Sequence, residues 1–276
     1  MDIKGKTAFI TGGAGGLGLA MARAFGARGA NIMLADIDEK AAKAVAADLA
    51  SAGIEAAGCA LDVRDAAAFD VAAKATVERF GAVHMVVNNA GVSLSGMTGE
   101  FALEDWRWIV DINLMGVVYG TECFTRLFKA QDEGGYILNV ASMAGHGAFA
   151  GGGPYHATKF AVVGYSESLR HEFKKSNIGV SVLCPGFVQT GIGDSVLGAP
   201  SGTISKDDPT VQFAQHAVDT GLEPGPVAEW VAKCVEDGRF YIFTHAEMRD
   251  GIDVRRDRLA YDYDAALAHF ATVADG

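Results

Sequence analysis

Tyr155 and Lys159 stand four residues apart in Pro154-Tyr155-His156-Ala157-Thr158-Lys159, and Ser142 lies thirteen residues upstream. Four residues is about one helical turn, so a helix here would project the phenol and the ammonium from one face. A cation beside a phenol favours the phenolate and lowers the tyrosine pKa from its usual ~10 toward neutrality, where it can exchange a proton with a hydroxyl. A serine hydroxyl beside that pair can hold an oxygen on which charge develops. Together the three side chains suit proton transfer to or from an alcohol oxygen. Taken singly they say less: Tyr-x-x-x-Lys also arises on ordinary amphipathic helices, and a strand-end serine often bonds its own backbone.

The elements that would position this chemistry begin near the N-terminus. Thr11-Gly12-Gly13-Ala14-Gly15-Gly16-Leu17-Gly18 joins a β-like run at 7–10 to a helical stretch at about 17–28. Strand, glycine turn and helix form the context in which such a loop cradles a pyrophosphate, because the backbone can approach closely and the helix N-terminus offers free N–H groups. Two registers fit: Gly13, Gly15, Gly18 and Gly12, Gly16, Gly18. The next strand-like run, 31–36, ends in Asp36, which can accept hydrogen bonds from adenosine ribose hydroxyls and would repel a 2′-phosphate. Ile37 follows, and the loop holds no Lys or Arg, so the pattern favours NAD over NADP. Asp36 is also placed to cap a helix starting near 38.

Further motifs follow in a telling order: Thr11-Gly12-x-x-x-Gly16-x-Gly18, Asp62-Val63, Asn88-Asn89-Ala90-Gly91, Asn113, Ser142, Tyr155-x-x-x-Lys159 and Pro185-Gly186. From about residue 4 to 245 the chain resembles the short-chain dehydrogenase/reductase family. The resemblance selects the Gly12, Gly16, Gly18 register and implies an α/β fold of Rossmann type, a doubly wound parallel sheet of about seven strands flanked by helices. It implies a catalytic set of Asn113, Ser142, Tyr155 and Lys159. In that set Tyr155 is general base or acid, Ser142 holds the substrate oxygen, Lys159 also holds the nicotinamide ribose, and Asn113 positions a relay water. It places Gly12, Gly16, Leu17, Gly18, Asp36 and Ile37 around one half of NAD and Asp62 and Val63 at the adenine. Asn89, Ala90 and Gly91 then fall at the end of the fourth strand, where Asn88 braces the sheet. Pro185, Gly186, Val188 and Thr190 border the nicotinamide. Ser93, Met143, His146 and Phe187 are the candidates for the substrate side, whereas His156 is expected to point elsewhere.

Composition agrees. The 276 residues are 50% hydrophobic with 35 glycines, enough for one large α/β core and a single domain, 1–276. Strand-like runs at about 7–11, 31–36, 56–61, 83–88, 135–140, 179–184 and 239–243 alternate with helical periodicity. A net charge of −11 argues against a nucleic acid or an anionic membrane as partner. Arg255, Arg256 and Arg258 are interleaved with Asp253 and Asp257, as on a solvated helix face. The first strand begins almost at once, leaving no room for a signal peptide, and no apolar run reaches the ~18–20 residues of a membrane span. Cys59, Cys123, Cys184 and Cys234 have no metal-ligand spacing and read as buried free thiols of a cytoplasmic protein.

Two stretches depart from an ordinary family member. Residues 191–225 lack a clear period until about Val211 and read as a substrate lid, with Phe187, Ile192, Val196, Leu197 and Phe213 as apolar contacts. Residues 246–276 form a C-terminal extension in which Leu259, Tyr263, Leu267 and Phe270 recur at helical spacing. The family resemblance implies a homodimer through the helices at 108–125 and 155–173, with a tetramer possible. Tyr241-Ile242-Phe243-Thr244-His245 resembles bacterial members that act on aromatic alcohols from lignin-type ethers; steroid, terpene and polyol substrates stay open. The expected function is hydride transfer between an apolar or aromatic secondary alcohol or ketone and NAD(H). An NADPH-dependent ketoacyl-thioester or ketone reductase is one alternative, and a non-catalytic NAD-binding sensor is another.

Overall fold

Apolar runs too short for helices become strands whose side chains are mostly buried on both faces at the centre of the sheet and partly exposed at its two edges. They are β1 (Thr7–Thr11), β2 (Asn31–Asp36), β3 (Ala56–Ala60), β4 (Met85–Asn88), β5 (Gly135–Val140), β6 (Ile178–Cys184) and β7 (Tyr241–Phe243). The computed structural model describes residues 1–274. All seven strands pair in parallel in the order β3-β2-β1-β4-β5-β6-β7. The chain therefore runs outward from β1 through β2 to β3, then returns to the other side of β1 as β4. That reversal opens a crevice at the carboxyl ends of β1 and β4, where ligands bind in open α/β sheets.

Helices cover both faces, as parallel crossovers require. On one face α1 (Gly16–Ala27), α2 (Glu39–Ser51) and α8 (Pro224–Glu236) bury Met21, Phe25, Leu49 and Val231 against the sheet. On the other, α3 (Ala66–Phe80) and α5 (Gly116–Gln131) close over Phe9 with Phe69, Phe124 and Phe128, all essentially without exposure. Each such side chain contributes about 1.5–3 kcal/mol by burial. The remaining α-helices before His245 are α4 (Leu103–Val110), α6 (Gly153–Glu172) and α7 (Pro209–Asp219). Among the described residues no helix is long and apolar enough to cross a membrane.

Contacts divide the chain into two units, Met1–Thr244 and the residues from His245 onward. The second consists of a short 3-10 turn, Ala246–Met248, and α9 (Arg249–Ala274). Its Leu259, Tyr263, Leu267 and Phe270 are exposed, and so are Val254 and Tyr261 on the opposite side of the helix. The arginines pair along it as a solvated face would, Arg256 with Asp253 and Asp257, and Arg258 with Asp262.

Candidate active site

The glycine loop leaves β1 with glycine demanded at the positions of one register. Gly12 and Gly16 have φ of +62° and +52°, left-handed values that other residues avoid. A Cβ at Gly18 would lie 2.3 Å from the Gly12 carbonyl oxygen and 2.7 Å from Asn89 Nδ2, while one at Gly15 would meet nothing. Asn89 braces the turn: its Nδ2 donates to Thr11 O at 2.8 Å and Gly12 O at 3.2 Å. Thr11 Oγ1 accepts from the Asn89 and Ala90 amides at 2.9 and 3.0 Å. Across the loop, a Cβ at Gly16 would lie 3.2 Å from Thr190, so the turn and the segment after β6 abut.

No side chain caps the N-terminus of α1, and its first turn carries no acidic residue. A pyrophosphate fits this cradle, since anions favour an uncapped helix start with close backbone access. Asp36 ends β2 with Oδ2 accepting from Ala14 N–H and Oδ1 from Asp38 N–H, each at 3.1 Å. A carboxylate offers about four acceptor sites, so capacity remains for ribose hydroxyls. The helix cap is Asp38, whose own carboxylate takes the Ala41 amide. Ile37 is 70% exposed. Beside this edge Asp62 grips Arg64 through both oxygens, at 2.9 and 2.6 Å, and that pairing holds the Asp62 carboxyl below its usual range. Val63 turns inward, where a Cβ on Gly116 would meet its side chain at 2.9 Å. Val188 is likewise core, so both valines can offer a ligand only their backbone. Asn88 is buried in the sheet and donates to Thr121 Oγ1 and Asn139 Oδ1 at 3.1 and 2.8 Å.

Ser142, Tyr155 and Lys159 converge. Pro154 occupies the first turn of α6, where its missing N–H costs nothing, and Tyr155 and Lys159 follow one turn apart. Lys159 is 3% exposed and donates from Nζ to Val140 O at 3.1 Å, so the ammonium sits on the last carbonyl of β5. Nζ lies 5.5 Å from the Tyr155 ring centre. Ser142, two residues beyond β5, receives the Ala144 amide on Oγ at 3.1 Å, donates to Pro185 O at 3.4 Å, and is near enough to Tyr155 to bias its phenol downward. Asn113 is fully buried in a π-helical turn, Asp111–Met115, between α4 and α5. Its carboxamide clamps the Val92 backbone, accepting from N–H at 2.8 Å and donating to O at 2.9 Å, with Thr158 Oγ1 at 3.4 Å. A Cβ on Gly91 would lie 3.3 Å from Asn113 Oδ1 and 3.6 Å from Lys159 Nζ, which joins this group to the end of β4.

One expectation is reversed. Burial raises the Tyr155 phenol above its ordinary value, and the nearby Ser142 hydroxyl opposes that rise. Burial also brings the Lys159 ammonium down from 10.5 to about 8. Desolvation disfavours both charged forms and outweighs the attraction that the Tyr–Lys spacing suggested.

The substrate-side candidates divide. Ser93 N–H donates to Ser195 Oγ at 2.8 Å, tying the loop after β4 to the 191–225 segment. In that segment Val196, Ala199 and Val211 pack with Leu94 and Ile109, and Val92, Trp108 and the Tyr155 ring join them, forming an apolar wall beside the phenol. Ser201 N–H donates to Asp105 Oδ1 at 3.0 Å; Asp105 is 1% exposed and its Oδ2 has no hydrogen-bond partner among the described residues. Leu197 and Phe213 do not join the wall: both are exposed, and Leu197 lines a cavity of about 320 Å³ with Asp194, Lys206, His216 and the wall residue Val211. That cavity touches none of Ser142, Tyr155 or Lys159. Met143 packs beside Val163 and Val182. The His146 ring is engaged with β6 and β7, with Nε2 3.2 Å from Cys184 Sγ and edge contacts to Tyr241 and Phe243. Phe187 is half-buried, and its carbonyl accepts from Leu222 N–H at 2.9 Å. Pro185 is buried and its carbonyl accepts the Met143 amide at 2.8 Å, with the half-buried Gly186 following.

Nothing in the local sequence foretells the burial of Asp105 and His156. Asp105 lies among aromatic residues on an ordinary helix pattern, and His156 adjoins Tyr155 on a different face, so neither carried a local signal. Cys123 and Cys184 are buried and Cys59 half-buried, and burial pushes the Cys59 thiol up to about 11 and the other two to about 12. Among the described residues no three His, Cys, Asp or Glu converge on a metal position.

Residues 6–198 match the family model described as short chain dehydrogenase. A CLA biosynthesis dehydrogenase/reductase of Lactiplantibacillus plantarum is 36% identical over 272 residues, covering 95% of each chain. A C alpha-dehydrogenase of Sphingobium sp. SYK-6 is 35% identical over 91% of this chain and 84% of its own. A short chain dehydrogenase/reductase from Burkholderia phymatum, solved in complex with NAD, superposes with a TM-score of 0.89 at 35% identity, covering 95% and 96% of the two chains.

Proposed function

This chain belongs to the short-chain dehydrogenase family, as an oxidoreductase acting on alcohol or ketone substrates with a nicotinamide cofactor, and we propose that it interconverts an apolar or aromatic secondary alcohol and its ketone using NAD(H). The observation that carries this reading is the convergence of Ser142, Tyr155 and Lys159 at the end of β5 beside an apolar wall. NAD, when bound, supplies the hydride acceptor. Gly12, Gly16, Leu17 and Gly18 would cradle its pyrophosphate and Asp36 its adenosine ribose. Ile37 offers nothing to a 2′-phosphate, and Arg64 is already taken up by Asp62.

Tyr155 takes the alcohol proton in oxidation and returns it in reduction. Its phenol is raised by burial, so ionisation calls for positive charge beside Lys159, which an oxidised nicotinamide would supply. Ser142 holds the substrate oxygen in line with that phenol. Asn113 keeps the Val92 backbone, and with it the apolar wall, in register with Lys159. The wall of Val92, Trp108, Val196 and Val211 favours an apolar substrate body. Association through α5 and α6 into a homodimer belongs to the same reading, and sedimentation checks it.

The test is nicotinamide reduction across aryl, steroid, terpene and polyol secondary alcohols with NAD and with NADP. Turnover is expected with NAD on the aryl or steroid alcohols, and Tyr155→Phe is expected to lower it by ~10²–10⁴-fold. Preferred turnover with NADP would overturn the reading of Asp36, and an active Tyr155→Phe variant would overturn the mechanism.

A further inference from the structure

We propose that His156 is a positioning residue that sets Ser142 against Tyr155; this rests on the roles given to those two residues above. The imidazole is 5% exposed and lies inside the turn at 144–152, the connection between Ser142 and the helix that carries Tyr155. The Phe149 amide donates to Nε2 at 3.3 Å, which requires Nε2 to be bare. The ring proton is then on Nδ1, 3.1 Å from the Ala144 carbonyl, which accepts it. The Ala144 amide in turn donates to Ser142 Oγ at 3.1 Å. Two hydrogen bonds, through one residue, thus connect α6 to the hydroxyl that holds the substrate oxygen.

Packing closes the same turn. The Phe149 ring meets His156 edge-on at 4.5 Å between centres, and a Cβ on Gly152 would come within 3.1 Å of Nε2. The His156 amide donates to the Gly152 carbonyl at 2.9 Å, so the ring is carried by the first turn of α6 itself. Because Tyr155 is the preceding residue of that turn, one side chain references both reacting hydroxyls to each other. A phenylalanine could fill the space but would hold neither Ala144 nor Phe149.

The experiment compares His156→Phe, which keeps the ring, and His156→Asn, whose amide nitrogen falls near Nδ1, with the parent protein. Expected for His156→Phe is a fall in kcat of roughly ten- to hundredfold, the scale of a 1 Å misplacement. NAD affinity and the KM for the alcohol should stay within about threefold, and His156→Asn should recover part of kcat. Hydrogen exchange at the Ala144 amide, measured without cofactor, reports the Ser142 contact without turnover and should quicken in His156→Phe. A kcat within threefold of the parent would overturn the proposal. So would a parallel loss of kcat, NAD affinity and thermal stability, which marks a merely structural residue. If the parent turns over no alcohol, the reaction assigned above is wrong and Ala144 exchange decides alone: quickened exchange supports the positioning, and unchanged exchange sinks it.

Discussion

The Ser142–Tyr155–Lys159 centre and the 191–225 segment stand side by side but are fastened differently. The centre hangs on main-chain structure: Lys159 on the last carbonyl of β5, Asn113 on both polar groups of Val92, and the glycine turn on Asn89. The segment has a short 3-10 turn and one helix. Polar pins to Ser93 and Asp105 and the cluster around Val196 join it to the centre. Chemistry needs fixed distances, whereas the substrate lid that we propose for 191–225 has to open, and few side-chain pins to the centre with an apolar seam suit that task.

The comparison breaks first at its rigid side. Gly18→Ala places a Cβ 2.3 Å from the Gly12 carbonyl and should spread the turn. At the 1–3 kcal/mol cost of overpacking, NAD affinity should fall by roughly ten- to hundredfold, measured by fluorescence titration. Unchanged affinity would mean that the cradle is looser than its contacts indicate. The proposed lid is probed by Asp105→Ala, which removes the acceptor for Ser201. Amide exchange at 199–204 should quicken while 142–159 keeps its protection, and kcat/KM for apolar alcohols should fall by about fivefold, near the ~1 kcal/mol of one hydrogen bond. Asp105→Asn keeps an acceptor oxygen and should retain most of both. Equal loosening of the two stretches would erase the distinction.

The smallest effect sharpens it. Burial holds the Lys159 ammonium at about 8 instead of 10.5, so the unfolded chain binds that proton to higher pH than the folded one. Stability therefore carries the full penalty below pH 8 and recovers as pH rises from 8 toward 10.5. Lys159→Met should be inactive yet melt higher at pH 7, by about 2–4 °C for each kcal/mol recovered, with the gain shrinking by pH 10. A lower melting temperature at pH 7 would show that the Val140 contact outweighs desolvation.

Much of the fold was legible because its signals are local. The seven strands lie where short apolar runs stand between helical periods, and Gly12, Gly16 and Gly18 are where left-handed turns and close approach need them. The Tyr155–Lys159 spacing did place both residues on one turn of α6. What stayed hidden depends on partners far along the chain. The π-helical turn that aims Asn113 at Val92 has no signature in Asp111-Ile112-Asn113-Leu114-Met115. Leu197 and Phe213 are apolar like Val196, yet only Val196 reaches the Tyr155 wall.

By itself, then, the sequence determined the element types, the glycine register and the set of reactive side chains, since each follows from spacing along a strand, a turn or a helix. Only the tertiary structure decided the direction in which the Tyr155 and Lys159 protons are biased, the inward turn of His156 and the pinning of Ser201 on Asp105. Desolvation and cross-chain hydrogen bonds are set by what surrounds a group in space, and residues a hundred positions apart supply those surroundings.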